Sequence, residues 1–275
     1  MNAKDCFHAG DLQGAIAAAT EEVKKHPTQT SPRALLAELL AFTGELERAD
    51  KQMDAVGQQD PEAMLGVAVV RQMVRAEMAR REFYEQGRVP EFLDPPPPHV
   101  RLALEASIAI REGKIAEAAA KLEQAEQLRP HISGTSDGKP FDDFRDVDDL
   151  CSTFFEVFTS TGKYYWIPNE RVELIEFHAP ERPRDLLWRR AHMVVAGGPD
   201  GEVTIPAVYY GSHADTEDRV KLGRVTEWRG DEGSPVRGFG QRLFLMGDEA
   251  KAILEIKEIT FTRTETSERH GEDSD

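Results

Sequence analysis

Hydrophobic residues in the first half of the chain recur at helical spacing, in paired segments joined by a short motif. The motif reads glycine, a polar residue, an aliphatic residue, two further positions and alanine, and it starts at Gly10, Gly44 and Gly113. The glycine permits a tight turn between two helices, and the small alanine side chain lets the helices approach closely. We therefore expect a helical hairpin around each copy.

A proline follows each copy, 17 residues after its glycine, at Pro27, Pro61 and Pro130. The glycines are separated by 34 and 69 residues, so the second step is about twice the first. A period near 34 in an alanine-rich helical pattern is typical of tetratricopeptide-like helix pairs. Proline ends each second helix because it lacks the N–H that a helix interior needs. The pattern predicts a tetratricopeptide-like helical array over residues 1–131.

Residues 62–86 read as one long helix, with no glycine where the period would place a hinge. A basic face is formed by Arg71, Arg75, Arg80 and Arg81. This face is either solvated, covering a buried stripe of valine and methionine, or a docking surface for an acidic partner.

An interruption follows, in which residues 94–99 read DPPPPH. Four consecutive prolines predict an extended polyproline segment in place of a helix. The segment Pro95 to Pro98 is either a rigid spacer within the array or a proline-rich docking motif. Helical spacing then resumes and continues to residue 129.

Composition changes after Pro130. Glycine, serine and proline make residues 132–145 a turn-rich linker, and residues 146–261 are expected to form an α+β domain. That domain begins with an amphipathic helix, because apolar residues follow one helical face. These residues are Val147, Leu150, Cys151, Phe154, Phe155 and Phe158. Residues 262–275 are polar and charged and are expected to be disordered.

Short runs of β-branched and aromatic residues predict strands after residue 162. The runs cover residues 164–167, 171–177, 191–196, 202–205, 225–228, 241–246 and 253–261. The third and fourth form a hairpin, and the last changes its alternation between Ile256 and Ile259, which suggests a bulge. The whole chain is therefore expected to have a multidomain α+β fold, with a small and mostly antiparallel sheet after the helical array.

The net charge of the chain limits the classes of partner that it can bind. The formal net charge is −16 at pH 7, which argues against binding nucleic acid or an anionic membrane surface, since both need clustered lysine and arginine. Most of the negative charge follows residue 135, so a basic partner would be steered to that half. The first residues lack a signal peptide pattern, and Cys6 and Cys151 are expected to be reduced thiols, as in a cytoplasmic protein.

Motifs for metal, cofactor or catalytic chemistry are not evident. The eight histidines are scattered, and the acidic cluster between Asp142 and Asp149 lacks the spacing of a calcium loop. Residues 211–213 place a serine beside a histidine, but neighbours on an extended chain point to opposite sides. Residues 238–242 lack the lysine of a phosphate loop. We therefore expect no catalytic, cofactor-binding or metal-binding residues and no enzyme activity.

An alternative is an enzyme whose site in the C-terminal half uses scattered residues such as Asp185, His192 and His213, because catalytic groups need not be adjacent in sequence. A second alternative is a structural protein that associates with itself through the proline segment and the acidic half.

Aromatic residues in the second half are candidates for contacting a partner, because aromatic anchors dominate many interfaces. The candidates are Tyr164, Tyr165, Trp166, Trp188, Tyr209 and Trp228. Alternatively, most of them fill the core of the second domain, which has few other large apolar residues.

Five ordered motifs give the chain a family resemblance. They are DGKPF at 137–141, GKYYWIP at 162–168, RDLLW at 184–188, LGRVTEW at 222–228 and GFGQR at 238–242. This series resembles the ImpE family, also called TagJ, of accessory proteins of the type VI secretion system. Residues 209–213 depart from the family pattern, in which a proline precedes the glycine and an acidic residue follows the serine.

The resemblance implies a cytoplasmic adaptor without catalytic residues. Family members are thought to bind the N-terminal helix of the small sheath subunit, and they are linked to the AAA+ ATPase that disassembles contracted sheath. A scaffold that captures a helix agrees with the helical array, because such arrays present grooves to peptides.

Overall fold

Seven α-helices make up the first half of a computed structural model that describes residues 1–262. The expectation of disorder for residues 262–275 lies almost entirely outside this range. The helices are α1 (Ala3–Ala9), α2 (Leu12–Lys25), α3 (Thr30–Phe42), α4 (Leu46–Gln59), α5 (Met64–Gln86), α6 (Pro98–Arg111) and α7 (Ile115–Leu128). Consecutive helices from α1 to α5 pack against each other, and so do α6 and α7. The tetratricopeptide-like array is therefore confirmed.

The repeated motif forms the turns of this array. Gly10, Gly44 and Gly113 have φ values of 89°, 70° and 73°, in the left-handed region that glycine adopts without strain. The alanine that ends each motif is fully buried between the two helices, with 0% of its surface exposed. Each proline lies two residues beyond the end of the second helix, at Pro27, Pro61 and Pro130. These local rules explain why the predicted hairpins are correct.

The proline segment differs in part from its prediction. Helix α6 begins at Pro98, so Pro98 and His99 lie in its first turn, where proline has no intrahelical bond to lose. The preceding stretch is extended and contacts the sheet: the Glu91 N–H donates to the carbonyl of Tyr164 at 2.9 Å, and the Trp166 N–H donates to the carbonyl of Glu91 at 3.1 Å. This interruption of the helical series therefore adds a short edge to the sheet.

Three antiparallel sheets follow the helices. Their strands are β1 (Gly134–Ser136), β2 (Lys139–Phe141), β3 (Phe144–Asp146), β4 (Phe154–Thr159), β5 (Tyr164–Pro168), β6 (Val172–Phe177), β7 (Trp188–Val195), β8 (Asp200–Pro206), β9 (Thr226–Arg229), β10 (Arg237–Gly240), β11 (Leu243–Met246), β12 (Glu249–Ala252) and β13 (Glu258–Phe261). The largest has eight strands in the order β2-β1-β13-β6-β7-β8-β4-β5, and the smaller ones pair β9 with β10 and order β12-β11-β3. A four-residue helix, α8 (Asp218–Lys221), precedes β9.

Three expectations for this half need correction. The predicted helix at 147–158 is a short 3-10 turn followed by β4, in which five consecutive residues are buried. The stretch 132–145, expected as a linker, carries β1, β2 and most of β3. The register shift lies opposite β7, between Val172 and Leu174 of β6. The last strand is regular and begins only at Glu258, so the expected bulge is absent from it.

The large sheet is buried on both faces. Phe154, Phe158 and Trp188 pack with the helices on one face. Phe155 and Val157 pack on the other face against β3 and β11. Alternate residues of β4 thus point into two different apolar clusters, which fixes the helical array directly on the sheet.

Candidate functional site

A groove of about 1270 Å³ runs along the helical array between its first hairpins and the loop 180–186. Helices α1 to α4 line it together with the start of α5. Its apolar lining includes Ala18, Ala34, Leu35, Val56 and Val67. Lysine and glutamate side chains also line it, at Lys4, Lys25, Glu22 and Glu62. An apolar floor with charged edges is the lining that an amphipathic helix requires.

Gly66 leaves part of this groove open. It lies on α5 and lines the groove, and a Cβ placed on it would meet nothing within 4 Å. Beside it, Met64 and Leu65 are 54% and 80% exposed, and Val69 is also exposed. The start of α5 therefore continues the apolar lining of the groove onto the surface.

One wall of the groove is the loop 180–186, which is held to α3 by a buried carboxylate. Glu38 contacts Arg184 at 3.1 Å and Arg182 at 3.3 Å. Burial raises the pKa of Glu38, and the two guanidinium groups oppose that rise. Within the loop, the Asp185 carboxylate accepts the N–H groups of Glu181 and Arg182. The wall is thus rigidly joined to the helix beneath it.

The turns of the first two hairpins lie against the segment 209–224 of the second half. At the first turn, Arg224 donates to the carbonyl of His8 at 3.0 Å, and the Leu12 N–H donates to Asp218 at 2.8 Å. At the second turn, Arg81 donates to the carbonyl of Gly44, and the His213 ring lies where a side chain at Gly44 would be. The turns of the first two hairpins are therefore covered by this segment.

A buried network of charges joins α5 to the sheet. The Arg80 guanidinium donates to both oxygens of Glu156, and Arg242 contacts Glu156 and also Asp146, the latter at 2.8 Å. The Tyr209 hydroxyl donates to Asp146 at 2.6 Å. All five side chains are buried. Every carboxylate in this network has a cationic partner, so its charges are compensated inside the protein.

Acid–base behaviour in the network differs between its two carboxylates. Burial raises the pKa of Glu156, but Arg80 and Arg242 outweigh it and lower the pKa to about 2. Burial dominates at Asp146 and raises its pKa to about 6, against the opposing effect of Arg242. Asp146 has one guanidinium partner where Glu156 has two, and the nearby Asp148 carboxylate raises the pKa of Asp146 further.

Most of the aromatic candidates lie in the core. Tyr164, Trp166, Trp188 and Tyr209 are buried, and Trp166 donates from its indole to the Tyr164 hydroxyl at 2.6 Å. Tyr165 is half-buried, and it packs beside the cluster on the far face of the sheet. Trp228, on β9, is 39% exposed and contacts Tyr209 edge-on. The structure does not bring the six together into one surface.

The four arginines of α5 do not form one basic face. Arg71 forms ion pairs with Asp50 and Asp54, and Arg80 is fully engaged in the buried network. Arg81 contacts Gly44 and Glu47. Of the four, only Arg75 is largely exposed. Neither interpretation of a basic face, solvated or docking, describes α5, because the acidic partners come from distant parts of the chain.

The residues of the enzyme alternative each have separate partners. His192 contacts Asp200 at 2.8 Å on the neighbouring strand, whereas Asp185 binds backbone N–H groups of its own loop. His213 packs on Gly44 and Tyr210. Burial lowers the pKa of His213. These contacts do not join the three side chains into one site.

Among residues 1–262, no group of three or more histidine, cysteine, aspartate or glutamate side chains is arranged to hold a metal ion. The helices of this range include none with the length and apolar character needed to cross a bilayer. Cys6 and Cys151 are free and buried.

Comparisons with known proteins find relatives over nearly the whole chain. The family model described as ImpE protein matches residues 138–260. The type VI secretion system accessory component TagJ of Pseudomonas aeruginosa is 32% identical over 265 residues, which is 96% of this chain and 92% of that protein. A crystal structure of a Vibrio parahaemolyticus protein matches with a TM-score of 0.88 and 25% identity, covering 94% of this chain and 97% of the other.

Proposed function

The chain belongs to the ImpE family, and from that premise we propose that it is an accessory component of the type VI secretion system. It acts in the cytoplasm as a non-enzymatic adaptor that binds the N-terminal helix of the small sheath subunit. The observation that carries the proposal is the groove of about 1270 Å³ in the helical array. An apolar floor between charged edges is suited to one face of an amphipathic helix.

Solvent exposure favours the groove, and not the aromatic candidates, as the binding surface. Four of those six aromatic side chains are buried, so a partner cannot reach them without unfolding the core. The turns of the first two hairpins are covered by the segment 209–224. The groove, in contrast, is open along α2, α3 and the start of α5.

Titration of a synthetic peptide covering the sheath subunit's N-terminal helix tests this proposal by calorimetry. We expect a Kd below about 100 µM, corresponding to at least about 5 to 6 kcal/mol. Gly66→Trp places an indole in the groove and should weaken binding at least about tenfold, which is about 1.4 kcal/mol. Gly66→Ala adds only a methyl group in open space and should bind like the unmodified chain.

Ala120→Trp is the matched control. Ala120 is exposed on α7, which does not line the groove, so the same indole there should leave the affinity unchanged. Absence of binding by the unmodified chain at about 100 µM would contradict the proposed partner. Equal binding by the Gly66→Trp variant would place the peptide on another surface.

The adaptor role includes a second partner, the AAA+ ATPase that disassembles contracted sheath. The negative charge that accumulates after residue 135 favours a basic surface on that partner. A pull-down with the ATPase, the chain and the sheath peptide should recover all three together. Recovery of the peptide without the ATPase would limit the role to sheath binding.

A further inference from the structure

The hairpin of α1 and α2 forms one wall of the groove and packs on α3 through Phe7, Leu12 and Ala15. Helix α1 has seven residues, of which Ala3, Cys6 and Phe7 are buried. Helices this short are not stable in isolation. The position of the wall therefore depends on what holds the hairpin to the rest of the protein.

Arg224 and Asp218 hold the hairpin at its turn. Arg224 donates to the carbonyls of Phe7 and His8 at 2.5 and 3.0 Å, at the end of α1. The Asp218 carboxylate accepts the N–H groups of Leu12 (2.8 Å) and Gln13 (3.2 Å), at the start of α2. The His8 carbonyl and the Leu12 and Gln13 N–H groups have no partners within their helices, whereas the Phe7 carbonyl also accepts the Gly10 N–H at 3.0 Å. A cation at a C-terminus and an anion at an N-terminus both match the helix dipoles.

The residues that Arg224 holds are themselves part of the groove. Phe7 and His8 both line it, and the Arg224 guanidinium lies 6.0 Å from the centre of the Phe7 ring. Movement of the α1 terminus would therefore move the groove lining directly.

Both walls of the groove are anchored to the second half of the chain. The segment that carries Asp218 and Arg224 is fixed by Val220, which is fully buried, and by Gln241, whose side chain donates to the Gly223 carbonyl at 3.1 Å. The opposite wall, 180–186, leads directly into β7. The 218–224 segment and the loop 180–186 thus both tie the groove to the second half of the chain.

We infer that Asp218 and Arg224 are positioning residues for the groove: they fix the α1–α2 hairpin as its wall and thereby set its affinity for a helical ligand. The inference rests on the proposed function for the identity of that ligand. The anchoring of the hairpin itself is independent of it and can be measured without a peptide.

Hydrogen exchange followed by mass spectrometry measures the anchoring, and the peptide titration measures its effect. In Arg224→Ala and in Asp218→Ala, we expect amides of residues 3–13 to exchange about tenfold faster, because one or two charge-assisted hydrogen bonds are lost. Amides of β6 and β7 should exchange as before. Peptide affinity should fall about tenfold.

Two further variants separate positioning from a general loss of structure. Arg219→Ala removes the same charge from an exposed side chain on α8 and should change neither readout. Arg224→Lys keeps a cation at the end of α1 and should restore part of both the exchange protection and the affinity.

Unchanged exchange in residues 3–13 of the Arg224→Ala and Asp218→Ala variants would overturn the anchoring. Faster exchange with unchanged peptide affinity would overturn its effect on the groove. If the unmodified chain binds no peptide while the hairpin still responds, the anchoring is supported and the proposed function is contradicted.

Discussion

Arg80 on α5 and Glu156 on β4 form a buried ion pair with two hydrogen bonds, of 2.9 and 2.8 Å. Their side chains are 3% and 0% exposed. The pair crosses the boundary between the helical array and the sheet, so the orientation of one against the other depends on charged groups as well as apolar packing.

Removing the carboxylate should be strongly destabilising. In Glu156→Gln, the buried guanidinium groups of Arg80 and Arg242 lose their shared anion, and we expect a loss of about 3 to 5 kcal/mol in the free energy of unfolding. Urea denaturation measures it. Glu47→Gln, which removes an exposed carboxylate that contacts Arg81, should change the stability by less than about 1 kcal/mol. Similar losses in the two variants would contradict this account.

Glu156 should also make the fold sensitive to acid. Its pKa is lowered from 4.5 to about 2 in the folded chain, so the unfolded chain binds its proton first as the pH falls. The stabilisation is fully present above about pH 4.5 and is lost towards about pH 2, by up to about 1.4 kcal/mol per pH unit. Urea denaturation of the Glu156→Gln variant across this range should lack that part of the acid dependence. An unchanged dependence would show that the carboxylate is not held ionised.

The titration of Asp146 should change the free energy of unfolding with pH in the opposite direction. Its pKa is raised from 3.8 to about 6, so between these values the folded chain holds a proton that the unfolded chain has released. This contribution therefore decreases the free energy of unfolding as the pH rises from about 4 to about 6. The difference between the chain and its Asp146→Asn variant, measured by urea denaturation at several pH values, should reveal this slope. A slope of the other sign would mean that Arg242 outweighs burial.

Two glycines with nearly the same φ value should differ in how much their substitution by alanine destabilises the chain. Gly44 and Gly113 have φ values of 70° and 73°, so both substitutions carry the left-handed penalty of about 1 to 2 kcal/mol. A Cβ at Gly44 would also lie 2.6 Å from the Cδ2 atom of His213, whereas none lies within 4 Å at Gly113. Gly44→Ala should therefore lower the thermal midpoint more than Gly113→Ala. The double variant Gly44→Ala with His213→Ala should recover part of the difference.

Local rules were enough to locate the helical hairpins from the sequence. The glycine at each turn, the alanine between the helices and the proline beyond them act within a few residues of one another. The family resemblance also rested on short sequence motifs. Membership of the family is shown by a relative that is 32% identical over 96% of the chain.

The sequence predictions were wrong where a residue's structure is decided by contacts with residues that are distant in sequence. Residues Phe154 and Phe155 face opposite sides of a sheet that is buried on both faces, so their spacing fits a helix and a strand equally well. Arg80 looked like part of an exposed basic face because its partner Glu156 lies 76 residues away. The groove itself was not predictable, because it forms between α1–α3 and the loop 180–186.

The extended stretch around Glu91 protects an otherwise open border of the sheet. β5 is the last strand of the eight, and without that stretch its N–H and C=O groups would be free to pair with a strand of another molecule. At the other border, β2 carries Pro140, which has no N–H to offer such a pairing. Both borders of the eight-stranded sheet thus discourage edge-to-edge pairing with another molecule, and the irregular insertion in the helical series protects one of them.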